Sequence, residues 1–281
     1  MRIFSTVALL SLALSTAGAA ATPEEIIVSL RSSGAVRVPV GVNGAGPFTF
    51  LLDTGSSHTI VSSELVDRLG LPVVAQARVH TPAGVEMGRV VRVELMSIGS
   101  ASAEGLMPSV VSLAQLRATE SGVDGIIGQD FLSAFNFTVD YRRKRLRFTA
   151  EAEDPQVHLP LVRAGDRSLV QLPGNPGDEP VLMVPDTGTE GFVIFERDGR
   201  TAVRVDPMSQ AFEVSGLASQ RVGRGALLRE LKVGGVTFRN QPAVVLEREG
   251  ARTVEGDGLL PLHQFSSVSF NNSEGFMVVR R

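Results

Sequence analysis

Asp53 and Asp186 each open an Asp-Thr-Gly triplet, and each triplet follows an apolar run: Phe50-Leu51-Leu52 before the first, Val181-Leu182-Met183-Val184-Pro185 before the second. A glycine in third place lets the chain turn tightly and brings amide N–H groups toward the carboxylate. The apolar residues bury the turn. Two buried carboxylates brought face to face cannot both ionise, so they share one proton. The ionised member can take a proton from a bound water, while the protonated member polarises a carbonyl and then helps protonate a leaving amine. One such triplet is a weak signal, because a turn aspartate often bonds only its own backbone. The second copy comes 133 residues after the first, and Asp124-Gly125-Ile126-Ile127 recurs as Asp257-Gly258-Leu259-Leu260 at that same spacing. The chain reads as two copies of one unit, each supplying one carboxylate.

The elements that must carry these turns are strands. Val36, Val38, Val40 and Val42 alternate with polar or small residues, and Asn43-Gly44 marks a hairpin that delivers Asp53 at a strand end. Ser62 to Gly70 predicts a short helix with a serine cap and a glycine stop. His80 to Glu86, a Pro/Gly turn between two alternating runs, predicts a projecting hairpin that fits either a lid or an ordinary surface loop. Gly125 to Gly128 predicts a short buried strand, followed by a helix near Gln129 to Ala134 and by strands at 136–140 and 145–149. The basic stretch Arg142-Arg143-Lys144-Arg145 falls at the turn between them and reads as a solvated hairpin. Glu151 to Pro155 is a polar linker. The second unit starts near Gln156, with a second hairpin expected across Phe212 to Val222.

These residues together resemble retropepsin/pepsin-type aspartic proteases, and most of all bacterial retropepsin-like proteins with two halves fused in one chain. The resemblance covers residues 36–281 and rests on apolar-apolar-Asp-Thr-Gly-Ser and on Ile126-Ile127-Gly128. It implies an all-β, bilobal fold of two pseudo-twofold related, barrel-like lobes at 36–150 and 156–281. It implies a catalytic pair, Asp53 and Asp186, supported by Thr54, Gly55, Ser56, Thr187, Gly188 and Thr189. Thr54 and Thr187 would bond across the two loops; Ser56 and Thr189 would donate to the outer carboxylate oxygens and keep the active pH mildly acidic. Thr81, Pro82, Ala83 and Gly84 would form the flap over an extended polypeptide substrate. No metal or organic cofactor is implied, and a monomer suffices. Pro185, Pro261 (the counterpart of Gly128) and a sole tyrosine, Tyr141, outside the hairpin depart from the pattern. They keep open an impaired, peptide-binding version of the fold. His58 lacks a nucleophile elbow around it and reads as a bystander.

Composition limits the alternatives. Residues 1–21 read as a signal peptide: Arg2, an apolar Val7 to Leu14 too short to span a bilayer, and small residues at 17–21. A periplasmic or secreted location is expected. With no cysteine, thiolate metal sites and disulfides are excluded, and no lipidated cysteine is expected at the cleavage site. The net charge of −3 argues against nucleic-acid binding. Residues 22–35 read as an unstructured leader.

Overall fold

The structure is a computed structural model and describes residues 24–31, 33–81, 84–148, 158–174, 178–215, 220–247 and 256–281. The signal-peptide span 1–21, the hairpin tip Pro82-Ala83 and the linker Glu151 to Pro155 lie outside the described residues.

The fold is all-β and bilobal, with one sheet of ten strands and one of fourteen. Val36–Val42 buries its four valines in strict alternation and turns back at Asn43-Gly44, both with positive φ (49° and 78°), into Ala45–Leu52. Two successive left-handed residues give the turn type whose twist suits adjacent strands. Gly125–Ile127 lies parallel to the aspartate-bearing strand (Ile126 opposite Leu51) and antiparallel to Ile60–Ser62 (Ile126 opposite Ile60). The second lobe repeats this arrangement with every number raised by 133: Leu259 lies opposite Val184 and opposite Val193.

The repeated Asp-Gly landmark is a fastener for this core. Asp124 Oδ2 accepts from the Thr49 amide (3.2 Å), and Asp257 Oδ2 from the Leu182 amide (2.8 Å), again 133 residues on. A side chain on Gly125 would collide with the Phe50 ring and the Ile60 carbonyl, and one on Gly258 with the Val193 carbonyl. Each triplet is therefore held from behind by a strand that must be glycine where it passes.

A third layer joins the lobes. Phe137–Asp140, from the first half, pairs antiparallel with Ser267–Asn271, from the second; Arg145–Phe148 and Phe276–Arg280 flank them. The Phe137 and Phe270 rings stack across this seam at 4.7 Å. One apolar cluster runs through Phe50, Phe131 and Phe137 into Val268, Leu260 and Met183. Burial of each such side chain contributes roughly 1.5–3 kcal/mol.

Residues 24–30 differ from the expected unstructured leader. Glu25–Ile27 pairs with Arg145–Arg147 at the outer edge of the shared layer, and Ser29–Leu30 pairs with Val36–Arg37. Ile26 and Val28 are buried while Ile27 is exposed, so two apolar side chains stabilise this short segment. The helix Ser63–Leu69 forms as expected, with Ser62 Oγ accepting from the Leu65 amide (3.1 Å) and Gly70 closing it at φ 62°. The predicted second-lobe hairpin is Val205–Ser215 with Gln220–Val233. Among the described residues no helix is long and apolar enough to cross a membrane.

Candidate active site

Asp53 directly follows the strand Ala45–Leu52 and Asp186 ends the strand Val181–Asp186, and the two turns meet at the pseudo-twofold axis. Thr54 Oγ1 donates to the Pro185 carbonyl (2.7 Å) and accepts from the Thr187 amide (3.1 Å). Thr187 Oγ1 donates to the Leu52 carbonyl (2.5 Å) and accepts from the Thr54 amide (3.1 Å). Both threonines are buried, so these four reciprocal bonds lock the lobes together without competition from water.

The glycines set the approach of the carboxylates. A Cβ on Gly55 would lie 2.7 Å from Asp186 Cγ, and one on Gly188 would lie 3.2 Å from Asp53 Cγ. Each acid thus packs over the other loop's glycine. Asp53 Oδ1 accepts from the amides of Gly55 (2.9 Å) and Ser56 (3.1 Å); Asp186 Oδ1 accepts from the Gly188 amide (2.6 Å). Asp186 is buried while Asp53 keeps part of its surface open to solvent.

Those differences separate the two acids. Burial, then the negative charge of Asp53, pushes Asp186 up to about 8, against the pull of the Gly188 amide. Burial also raises Asp53, but two amides and the charge of Arg167 oppose it. Both carboxyls are raised by burial, so the pair shares a proton.

Ser56 and Thr189 do not play the role expected of them. Ser56 Oγ donates to the His58 carbonyl (2.9 Å) and Thr189 Oγ1 to the Gly191 carbonyl (3.1 Å). Their hydroxyls shape the loops, and backbone amides bind the carboxylates instead. Thr81 and Gly84 form the last pair of the hairpin Val73–Thr81 with Gly84–Val91, beyond which Pro82 and Ala83 lie outside the described residues. His58 stays exposed, with Nε2 3.6 Å from Asp166 Oδ2. Tyr141 sits buried in the shared layer; burial, then the charge of Asp186, holds its hydroxyl far above the usual phenol range and keeps it neutral.

Pro185 fits without disturbing the dyad. Pro185 supplies only its carbonyl, which proline retains. Its missing N–H falls beyond the end of the ladder with Arg167–Leu172, which stops at Val170 opposite Met183. Gly128 is needed in the first lobe because a Cβ there would lie 2.5 Å from the His58 backbone. In the second lobe Pro261 stands at the equivalent of Gly128, with Gly191 at the equivalent of His58.

Three supporting residues escaped the sequence reading. Gln129 Nε2 donates to the Thr54 carbonyl (2.8 Å) from a buried position. Asp130 accepts from the Thr59 amide (2.9 Å) and hydroxyl (2.6 Å) and fixes the loop after the first triplet. Arg167 acts electrostatically on both aspartates. Gln129 and Asp130 directly follow Gly128, so their place beside a repeated motif was the available signal.

A family model for aspartyl proteases matches residues 38–131 and 172–262, one triplet in each span. The chain belongs to this aspartyl protease family, with both halves present in one polypeptide. Among solved structures, a retropepsin-like aspartic protease from Rickettsia conorii is similar over 45% of this chain and 91% of that one, at 19% identity and a TM-score of 0.34. Conglutin gamma, a unique basic 7S globulin from lupine seeds, is similar over 92% of this chain and 95% of that one, at 12% identity and a TM-score of 0.49. A search of curated proteins finds no match.

Proposed function

We propose that the chain is an exported, monomeric aspartic endopeptidase acting through Asp53 and Asp186. The observation that carries this reading is the interlocked dyad: each carboxyl packs on the opposite Asp-Thr-Gly glycine, and the buried pair shares a proton. Asp53 removes a proton from water as its oxygen attacks the peptide carbonyl carbon. Asp186 gives its proton to the carbonyl oxygen, so a neutral gem-diol forms. The proton on Asp53 then passes to the amide nitrogen as the C–N bond breaks. A gem-diol hydroxyl proton returns to Asp186, leaving acid, amine and a dyad with one proton. Export rests on residues 1–21.

Because Asp186 holds its proton to about 8, the singly protonated dyad persists through neutral pH. This extends activity upward beyond the mildly acidic range expected from the Ser56 and Thr189 hydroxyls. The test is cleavage of a mixed peptide library by the mature protein from pH 3 to 9, with folded Asp53→Asn and Asp186→Asn alongside. Loss in both variants supports an intramolecular dyad. Loss with Asp53→Asn alone makes the second lobe a scaffold. Binding without turnover at any pH selects the peptide-binding alternative, which the fit of Pro185 past the end of its ladder disfavours.

A further inference from the structure

The pseudo-twofold symmetry fails at one place beside the dyad. The ladder between Arg167–Leu172 and Val181–Asp186 pairs Val170 with Met183, Gln171 with Leu182 and Leu172 with Val181. Continued past its last pair, this register sets Arg167 opposite Asp186. In the first lobe Val36 pairs with Leu52, and one step further sets Ala35 opposite Asp53. Arg167 stands three residues past the last pair, at the end of the strand that flanks Asp186, close enough for its charge to act on both aspartates, where the other lobe offers only a buried methyl group.

The start of this strand also touches the opposite lobe. Asp166, the preceding residue, reaches to 3.6 Å from His58 on the loop after the first triplet. Arg167 is half-buried. Among the described residues no hydrogen bond joins it to either aspartate and no carboxylate lies within ion-pair distance of it. Its guanidinium keeps a planar fork of donors, the geometry that matches a carboxylate.

The geometry points to Arg167 as a specificity determinant that binds an acidic side chain of the substrate in the half of the cleft walled by the second lobe. The inference rests on the peptidase reading. It makes the cleft directional: an acidic residue fits on one side of the scissile bond, and the side walled by Ala35 gains nothing from it. A charge-assisted contact in a partly desolvated site corresponds to about tenfold in selectivity.

The experiment uses the mature protein and peptide pairs that differ only by Glu against Gln, placed in turn at each of three positions either side of a cleaved bond. The wild type is expected to show a Glu/Gln ratio in kcat/KM of about ten at one position. That ratio should shrink with added salt, fall to near one in Arg167→Gln, survive only in part in Arg167→Lys, which keeps the charge but not the fork, and turn to favour Lys over Gln in Arg167→Glu. Circular dichroism checks that the variants fold. Efficient cleavage with a ratio near one at every position overturns the inference and leaves the peptidase reading standing. A ratio unchanged in Arg167→Gln, with all peptides slowed equally, overturns it too and makes Arg167 a dyad-tuning residue only. If nothing is cleaved, the peptidase reading fails. The same pairs are then compared by fluorescence anisotropy, where equal affinities overturn the acidic subsite and a Glu preference lost in Arg167→Gln upholds it.

Discussion

Replacing Thr54 with valine keeps its shape and removes its hydroxyl from the junction of the lobes. Two buried groups lose their partner: the Pro185 carbonyl, which accepts at 2.7 Å, and the Thr187 amide, which donates at 3.1 Å. Each unsatisfied buried group costs roughly 1–3 kcal/mol, so Thr54→Val should destabilise by about 2–6 kcal/mol. Thr54→Ser keeps the hydroxyl and should cost about 1 kcal/mol for the lost methyl. Urea unfolding of the mature protein measures both. The reciprocal bonds make a further demand: Thr54→Val and Thr187→Val dismantle one lattice, so the double variant should lose less than the two singles combined. Activity should fall more steeply than stability, because a displacement of ~1 Å between reacting groups can cost about 100-fold. A Thr54→Val protein within about 0.5 kcal/mol of wild type would refute the lattice as the tie between the lobes.

Other outcomes follow from the same geometry. Asp186 is raised from 3.8 to about 8, so the folded state binds the extra proton and its stability falls as pH rises across that window. Asp186→Asn escapes this: it should match wild type near pH 3 and exceed it in thermal melting at pH 8. Equal melting curves at both pH values would count against a buried, protonated Asp186. Gly55→Ala places a methyl 2.7 Å from Asp186 Cγ and should abolish turnover while circular dichroism stays native. Ser56→Ala and Thr189→Ala should leave the pH–rate profile in place, because those hydroxyls bond carbonyls; a shifted profile would restore them as carboxylate donors.

Periodicity made the fold legible, since a spacing of 133 fixes which residues must be equivalent and the observed registers obey it. The helix at Ser63–Leu69 and the hairpin at Asn43-Gly44 were readable from caps and turn chemistry, which act locally. The strand at Glu25–Ile27 was not, because its partner lies at Arg145–Arg147 and so short a segment shows its alternation only once the partner edge exists. The aspartates were legible from residue type. Which atoms bind them was not: a hydroxyl and an amide one residue apart compete for the same oxygen, and only the turn decides in favour of the amides of Gly55 and Ser56. Arg167 was invisible because a lone arginine carries no pattern until the fold brings its strand end beside the dyad.

The seam between Phe137–Asp140 and Ser267–Asn271 means that covalent continuity through the linker is not what holds the two halves together. A nick between Phe148 and His158 would leave the fragments zipped by that seam, by the Phe137–Phe270 stack and by the threonine bonds. Neither fragment carries both acids. Expressed apart and mixed, they amount to a complementation system in which the Asp53–Asp186 pair forms only as the halves reassemble.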